Sequence, residues 1–425
     1  MALLFYLPWH LLPSPFAAPV LPCSPMARKY TRPILFSLTN GLVMLLLALF
    51  WLSLPRTFGD EAFLIKWTSL VKKTVLGIDP KPEAESFLYI DVSRSKATIP
   101  APDPLFEEYT GYNHVAVTDR AQLAEFLTII REYGSDIPLV LMDINFSDRS
   151  PADSLLQAAL DSLPFPKVAA TTPAEHLDTL PPPIDVPKGI AMYLSVDQNF
   201  MKYPLFFDDT LPTFPLVALE QLEGVEYGDA RWGKAFDGRR SLSNPIIDFR
   251  VRPHDLEVDN RYSLFDMGSL LFQFTFWDEA DIRELLSGKI IVLGDFYNDE
   301  HQTVFGTVPG PMIVHNALLT LQERETLIHL RWLLLLLVLF FWMSWRIWHE
   351  EEAGTRSWLW SRSQTALGKI VADSIDDTFF LILGTIASYL FFNIHINILI
   401  LLIYLKLVAW LLRRFVFMHS GLEEE

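Results

Sequence analysis

The sequence predicts an α/β protein: an external domain with a mostly parallel sheet flanked by helices, plus four transmembrane helices. Three observations predict it. Membrane-grade apolar runs bracket a polar, Pro-rich stretch, residues 56–329, of the 425-residue chain. Within that stretch short apolar runs alternate with amphipathic helical patterns, as in a parallel sheet covered on both faces. Basic clusters flank the apolar runs in a way that fixes their orientation.

Residues 1–33 form an N-terminal tail. Met1 to Pro25 is apolar but is broken by Pro8, Pro13, Pro15, Pro19, Pro22 and Pro25, which excludes a spanning helix. It lacks the basic head of a secretory signal. Met26 to Arg32 supplies such a head, so Met26 is the more natural start. Residues 34–55 are the first transmembrane helix: Ile34 to Leu54 is nearly charge-free and meets the ~20 residues that a bilayer crossing needs. Residues 56–329 are the external domain and 330–348 the second helix. Residues 349–376 are a cytoplasmic loop. Thr378 to Leu412 is too long for one crossing at ~1.5 Å per residue and breaks at the polar Asn393 to Asn397. Residues 377–393 and 395–412 are therefore the third and fourth helices, and 413–425 a cytoplasmic tail.

Charge sets the orientation. Arg28, Lys29 and Arg32 precede the first helix, and Arg346, Arg356, Arg362 and Lys369 lie at the end of the second and in the loop after it. Arg413 and Arg414 follow the fourth. The positive-inside rule places all three clusters, and both termini, in the cytoplasm of a cell inner membrane. Residues 56–328 hold 23 Lys and Arg against 42 Asp and Glu, a net −19, whereas the whole chain is −17. Such an acidic domain argues against nucleic acid and anionic lipid as its partners. Cys23 is the only cysteine. The domain thus has neither a disulfide nor Cys-based zinc chemistry.

Inside the domain, Ser86 to Asp91, Ile137 to Asp143, Lys167 to Thr171, Gly189 to Ser195, Pro245 to Arg250 and Lys289 to Leu293 read as strands. Asp119 to Tyr133, Ala152 to Ser162, Phe214 to Leu222, Glu279 to Leu286 and Met312 to Gln322 read as helices, with Asp119 as an N-cap. Pro100 to Pro104 and Pro181 to Pro187 are loops. No dinucleotide, P-loop, zinc-protease or nucleophile-elbow motif is present, which points to a non-catalytic protein.

The segment from Ser287 to Ala317 resembles the closing signature of the type-two CHASE domain, an extracellular sensory module of bacterial receptors. It keeps Gly288, Lys289, Gly294, Asp299, Thr303, Gly306, Pro309, Gly310 and His315. It departs at Val304, where the family has Pro, and at Val314 to Ala317, where the family has Ile-His-Ala-Asn. Leu88 to Asp91 and Leu141 to Phe146 resemble the family's early strands; the middle element survives only around Asp197, Lys202, Pro204 and Leu205. One helix before the domain and three after it also fit the family layout. The resemblance implies a sensor. In that family the fourth helix leads into a cyclase or kinase, whereas residues 413–425 hold none, so the signal is expected to leave through the helices or a separate output protein.

Asp91, Asp143 and Asp295 each sit at or just past a strand's carboxyl end, the edge that forms the ligand crevice of open α/β sheets. With Asp299, His301, His315 and Asn316 they make up the candidate ligand-binding set; converging strand-end carboxylates could take a cation or cationic ligand, or act in acid/base catalysis as in an external hydrolase. The plain alternative is that strand-end Asp residues satisfy loop N–H groups. Asp299, His301 and His315 match no zinc spacing, so no metal and no cofactor is expected. Pro309-Gly310 reads as a turn into the helix or an anion site. Lys406 reads as a snorkelling lysine and Asp373, Asp376 and Asp377 as dipole partners of the third helix. Trp332, Trp342, Trp345, Trp348, Trp358 and Trp360 read as an interfacial belt. The expected partners are the lipid bilayer, an output protein and a second copy in a homo-oligomer. The alternative function is a structural subunit of a membrane complex.

Overall fold

The computed structural model describes residues 25–417 apart from 55–58, 101–112, 174–182, 192–194, 197–198, 209, 230–233, 237, 258, 260 and 354–365. Met1 to Ser24 with Cys23, most of the Pro100 to Pro104 loop, Asp197, Arg356, Trp358, Trp360 and Arg362 lie outside the described residues, as do the side chains of Lys369, Asp373 and Asp376.

Helix α1 (Pro25–Leu52) leads to α2 (Gly59–Leu70), whose end widens into a π-helical Val71–Val75. Strand β1 (Phe87–Asp91) and the hairpin β2 (Lys96–Pro100) with β3 (His114–Thr118) follow. Next come α3 (Arg120–Tyr133), β4 (Val140–Asn145), α4 (Asp153–Ser162), β5 (Lys167–Thr171) and β6 (Lys188–Ile190). Short strands succeed them: β7 (Ser195–Val196), β8 (Asn199–Phe200), β9 (Phe206–Phe207) and β10 (Leu211–Pro212). Helix α5 (Phe214–Glu223) precedes β11 (Tyr227–Asp229), β12 (Lys234–Phe236) and β13 (Arg239–Arg240). The domain closes with α6 (Pro253–Glu257), β14 (Ser263–Asp266), α7 (Met267–Phe274), α8 (Glu279–Leu286), β15 (Ile290–Gly294), β16 (Glu300–Thr303), β17 (Gly306–Pro309) and α9 (Gly310–Gln322). Helices α10 (Leu330–Ala353), α11 (Ala366–Phe392) and α12 (Ile398–Leu411) form the end, the last continued by a π-helical Leu412–Phe417.

Six strands make one sheet in the order β14-β1-β15-β4-β5-β6, and every pairing in it is parallel. The period-2 alternation of strand side chains sorts its residues into two cores. Phe87 and Tyr89, Leu141, Val168, Ile290 and Val292 face α5 and α9. Leu88 and Ile90, Val140 and Met142, Ala169, Ile291 and Leu293 face α3, α4, α7 and α8. Both faces are apolar because both are covered, which is why β1 and β15 read as unbroken apolar runs. Asp119 caps α3 as expected, accepting from the N–H groups of Ala121 and Gln122 at 2.9 and 3.2 Å.

Two expected strands differ. Pro245 to Arg250 enters no sheet. Beyond an antiparallel bridge of Ile246 to Lys202, where Ile247 N–H donates to the Met201 carbonyl at 2.9 Å, its buried backbone is satisfied by side chains of α9: Asp248 N–H donates to Thr320 Oγ1 at 3.0 Å and Arg250 N–H to Asn316 Oδ1 at 2.8 Å. The strand expected over Gly189 to Ser195 ends at Ile190. There Gly189 lies so close to the Phe214 backbone that a Cβ would collide with it. Sequence patterning also missed the edge strand β14 and the helix α2.

Among the described residues two helices are long and apolar enough to cross a membrane, Tyr30–Leu52 in α1 and Leu330–Glu350 in α10. This corrects the expectation of four. The apolar part of α11, Asp377–Phe392, is shorter, and α12 has 14 residues. The turn between them explains the shortening. All five residues from Asn393 to Asn397 are buried, and Asn393 Nδ2 donates to the Ile246 carbonyl of the domain at 3.2 Å. The hairpin tip is thus drawn into the domain rather than left outside it.

The four helices pack on one another. Met44, Trp332, Phe340, Leu381, Leu401 and Leu405 share a core. Polar bonds lie inside it: Asn40 Nδ2 to Ser344 Oγ at 2.8 Å, Tyr404 Oη to Asn40 Oδ1 at 2.6 Å and Trp332 Nε1 to Ser388 Oγ at 2.8 Å. Trp332 is therefore a core residue and no part of a belt; Trp348 packs on Phe36, ring centroids 5.2 Å apart. Lys406 does not snorkel. Its Nζ lies 2.8 Å from Asp377 Oδ2, and Arg346 holds the other oxygen of that carboxylate. Asp377 is thus an interhelical ion-pair partner rather than a dipole partner of its own helix.

Candidate functional site at the strand ends

Register places the strand-end carboxylates on one edge. Asp91 pairs with Asp266 on one side and with Gly294 on the other, and Gly294 pairs with Asp143. Asp91, Asp143 and Asp295 therefore share the carboxyl edge of the sheet, as expected, and Asp266 joins them. Geometry then separates them by what each already holds.

Asp91 is 1% exposed. It accepts from Ser93 N–H at 3.1 Å, Ser93 Oγ at 2.6 Å and Phe296 N–H at 3.0 Å. Asp266 caps α7, accepting from Ser269 N–H at 2.8 Å and Ser269 Oγ at 2.7 Å. Asp295 accepts from Asn298 N–H at 2.8 Å and pairs with Lys96 at 3.1 Å. Burial alone would raise its pKa, but the bonds from Asn298 and Lys96 outweigh that and hold it below the usual carboxylate range. These three carboxylates hold loops, the plain alternative for strand-end Asp.

Asp143 differs. Among the described residues no hydrogen bond reaches its carboxylate. Burial, and then the nearby charge of Asp299, push its pKa up to about 7, with His301 opposing. His301 Nε2 lies 2.8 Å from Asp299 Oδ1. That hydrogen bond raises the His301 pKa; burial opposes it, and the charges of Asp299 and Asp143 add to it. The His301 ring also packs on Phe200, centroids 4.5 Å apart.

Two glycines allow this cluster to form. A Cβ at Gly310 would strike the Asp299 carboxylate. A Cβ at Gly294 would strike Pro311 and lie 3.3 Å from Asp143 Cβ. Gly310 N–H donates to the Asp299 carbonyl at 2.7 Å, fixing the loop to the start of α9. Asp143 keeps its proton up to about pH 7, a proton that an incoming cation would displace.

His315 and Asn316 do not join this cluster. His315 is fully buried within α9, its Nδ1 2.7 Å from Tyr89 Oη and its ring 4.4 Å from that of Phe87. Burial pushes its pKa down to about 3, so it is a neutral core residue. Its Nε2 has no partner among the described residues. Asn316 is a clamp: its Oδ1 accepts from the N–H groups of Arg250 and Val251, and its Nδ2 donates to the carbonyls of Val251 and Met312. Both residues serve the fold because the buried face of α9 carries them into the core. Among the described residues no group of three or more His, Cys, Asp or Glu side chains is placed to hold a metal ion. Comparison with family models, with curated proteins and with solved structures finds no match to this chain.

Proposed function

We propose that this is a non-enzymatic, sensor-like protein of a cell inner membrane. In this reading α1 and α10 cross the bilayer, and the α/β domain, external and of the CHASE type, binds a cationic small ligand at Asp143, Asp299 and His301. Its bound state passes through the helices to a separate output protein. The observation that carries the reading is Asp143: of four strand-end carboxylates, it alone is left without a hydrogen bond among the described residues.

A continuous set of contacts supports passage to the helices. His301 lies on β16, and Phe305 follows at the β16–β17 turn. The Phe305 ring packs on Phe249 at 5.9 Å, with Lys73 Nζ 5.9 Å and the Arg252 guanidinium 5.2 Å from its centre. Lys73 pairs with the buried Asp248 at 2.7 Å. The neighbouring Lys72 lies 5.4 Å over the ring of Tyr389 in α11. The reading as an assembly subunit draws on one feature, the exposed Phe63, Trp67, Val71 and Val75 at four-residue spacing along α2 and its π-helical end.

The test uses ethanolamine, lysine methyl ester and spermidine as cationic probes on the full chain in mild detergent. At pH 8, with Asp143 ionised, at least one should raise the unfolding temperature; at pH 5, or in Asp143→Asn, the rise should vanish. No rise with any probe, or one that survives in Asp143→Asn, contradicts the ligand reading.

A further inference from the structure

A cavity lies where the end of α1 meets the domain. It encloses about 560 Å³, within the range of small-molecule sites. Its apolar wall comes from Leu46, Leu49 and Phe50 near the domain end of α1, and its other lip from Arg240, Leu242 and Ile328. Residues 46–52 occupy about the last 10 Å of a membrane-capable helix at ~1.5 Å per residue. Ile328 lies two residues before α10, the second such helix. The groove therefore spans the depth where acyl chains give way to head groups.

The polar lip is held rigidly. Ile328 N–H donates to the Arg240 carbonyl at 3.0 Å and Leu242 N–H to the Thr326 carbonyl at 2.8 Å, while Leu242 packs into the helix-bundle core. Arg239 and Arg240 are both exposed, in a stretch whose net charge is −19. A cationic lip on an acidic domain, above an apolar slot at interface depth, fits an amphiphile with an anionic head. A soluble anion would leave the slot unfilled.

We propose that this groove holds one phospholipid of the leaflet on the domain side. One acyl chain lies along Leu46, Leu49 and Phe50, and the phosphate meets the Arg240 guanidinium. The site rests on α1 and α10 as membrane spans and is independent of the Asp143 crevice.

Native mass spectrometry of the full chain in mild detergent tests it, with phosphatidylglycerol, diacylglycerol of the same chains, or inorganic phosphate added. One phosphatidylglycerol should remain bound per chain; diacylglycerol should be retained roughly tenfold less, and phosphate alone not at all. Arg240→Ala should lower retention of phosphatidylglycerol roughly tenfold, and Arg240→Lys should restore part of it. Leu49→Trp, which fills the slot, should abolish it, with unfolding temperature reporting that each variant is folded. A folded Arg240→Ala that retains the lipid as the parent does, retention of phosphate alone, an adduct-free chain, or a dimer mass without lipid would each overturn the site. Release of the chain from membranes by alkaline carbonate without detergent would instead overturn the spans themselves.

Discussion

Asp143 has the most unusual environment of the strand-end residues, and the reason is local. Asp91 has Ser93 two residues on, Asp266 has Ser269 three on and Asp295 has Asn298 three on; each accepts from that neighbour's backbone N–H. Asp143 lies two residues inside β4, which runs to Asn145, so no turn follows it to supply an N–H, and Asn145 accepts from Ser147 N–H at 2.8 Å instead. Sequence alone places these acids at strand ends. The spacing of their neighbours was a signal, left unread, for which of them are already engaged. The proximity of Asp299 and His301 depends on Gly294 and Gly310 and was not legible. A pH test follows from the pKa of about 7, against an ordinary 3.8. The folded state keeps the proton between those values and the unfolded state does not, so stability falls as pH rises from 3.8 to 7, with the penalty complete above. At ~1.4 kcal/mol per unit this is on the order of 2–4 kcal/mol, reduced by the residue's partial exposure. His301 acts in the same direction, since its raised pKa stabilises the fold below 6.5 and is lost as pH rises through the folded value. Asp143→Asn should therefore unfold at a higher temperature than the parent at pH 8 and at nearly the same temperature at pH 4. An equal shift at both pH values would mean that Asp143 does not hold its proton near neutral pH.

At the scale of elements, α10, α11 and α12 are tied by one carboxylate. Asp377 holds Lys406 at 2.8 Å and also Arg346, with Asp377 itself nearly buried. The sequence showed Lys406 as a lone charge near a helix end. Whether such a lysine snorkels or pairs depends on an acid at the same depth on a neighbouring helix, which the periodicity of one helix does not reveal. Asp377→Asn leaves two cations facing each other and should cost about 2 kcal/mol or more. Lys406→Met leaves the Arg346 pair intact and should cost less. Thermal unfolding in detergent gives the order, and equal losses would argue that Lys406 reaches past Asp377 to the interface. The β15 and β5 boundaries were legible nearly to the residue because the middles of buried parallel strands are unbroken apolar runs. Pro245 to Arg250 misled because side chains of α9 replaced the ladder that its apolar residues suggested.

For the whole molecule, the sequence carried the alternation of strands and helices and the break between α11 and α12. It did not carry the docking of that break into the domain, because the polar residues of a turn look alike whether water or a carbonyl receives them. Orientation is tested with single cysteines in a Cys23→Ser background. Arg149→Cys, on an exposed loop, should react with a membrane-impermeant maleimide in intact cells, while a cysteine at position 420 should react only after lysis. Equal labelling of both before lysis would contradict the placement. The central claim is that the state of the Asp143 site reaches the helices, and hydrogen exchange of the full chain in nanodiscs tests it most directly. Asp143→Asn imitates the protonated state, so at pH 8 it should change protection over 300–309 and also over 385–397, where Tyr389 and Asn393 meet the domain. A change confined to the strand ends, with 385–397 identical in both proteins, would contradict it.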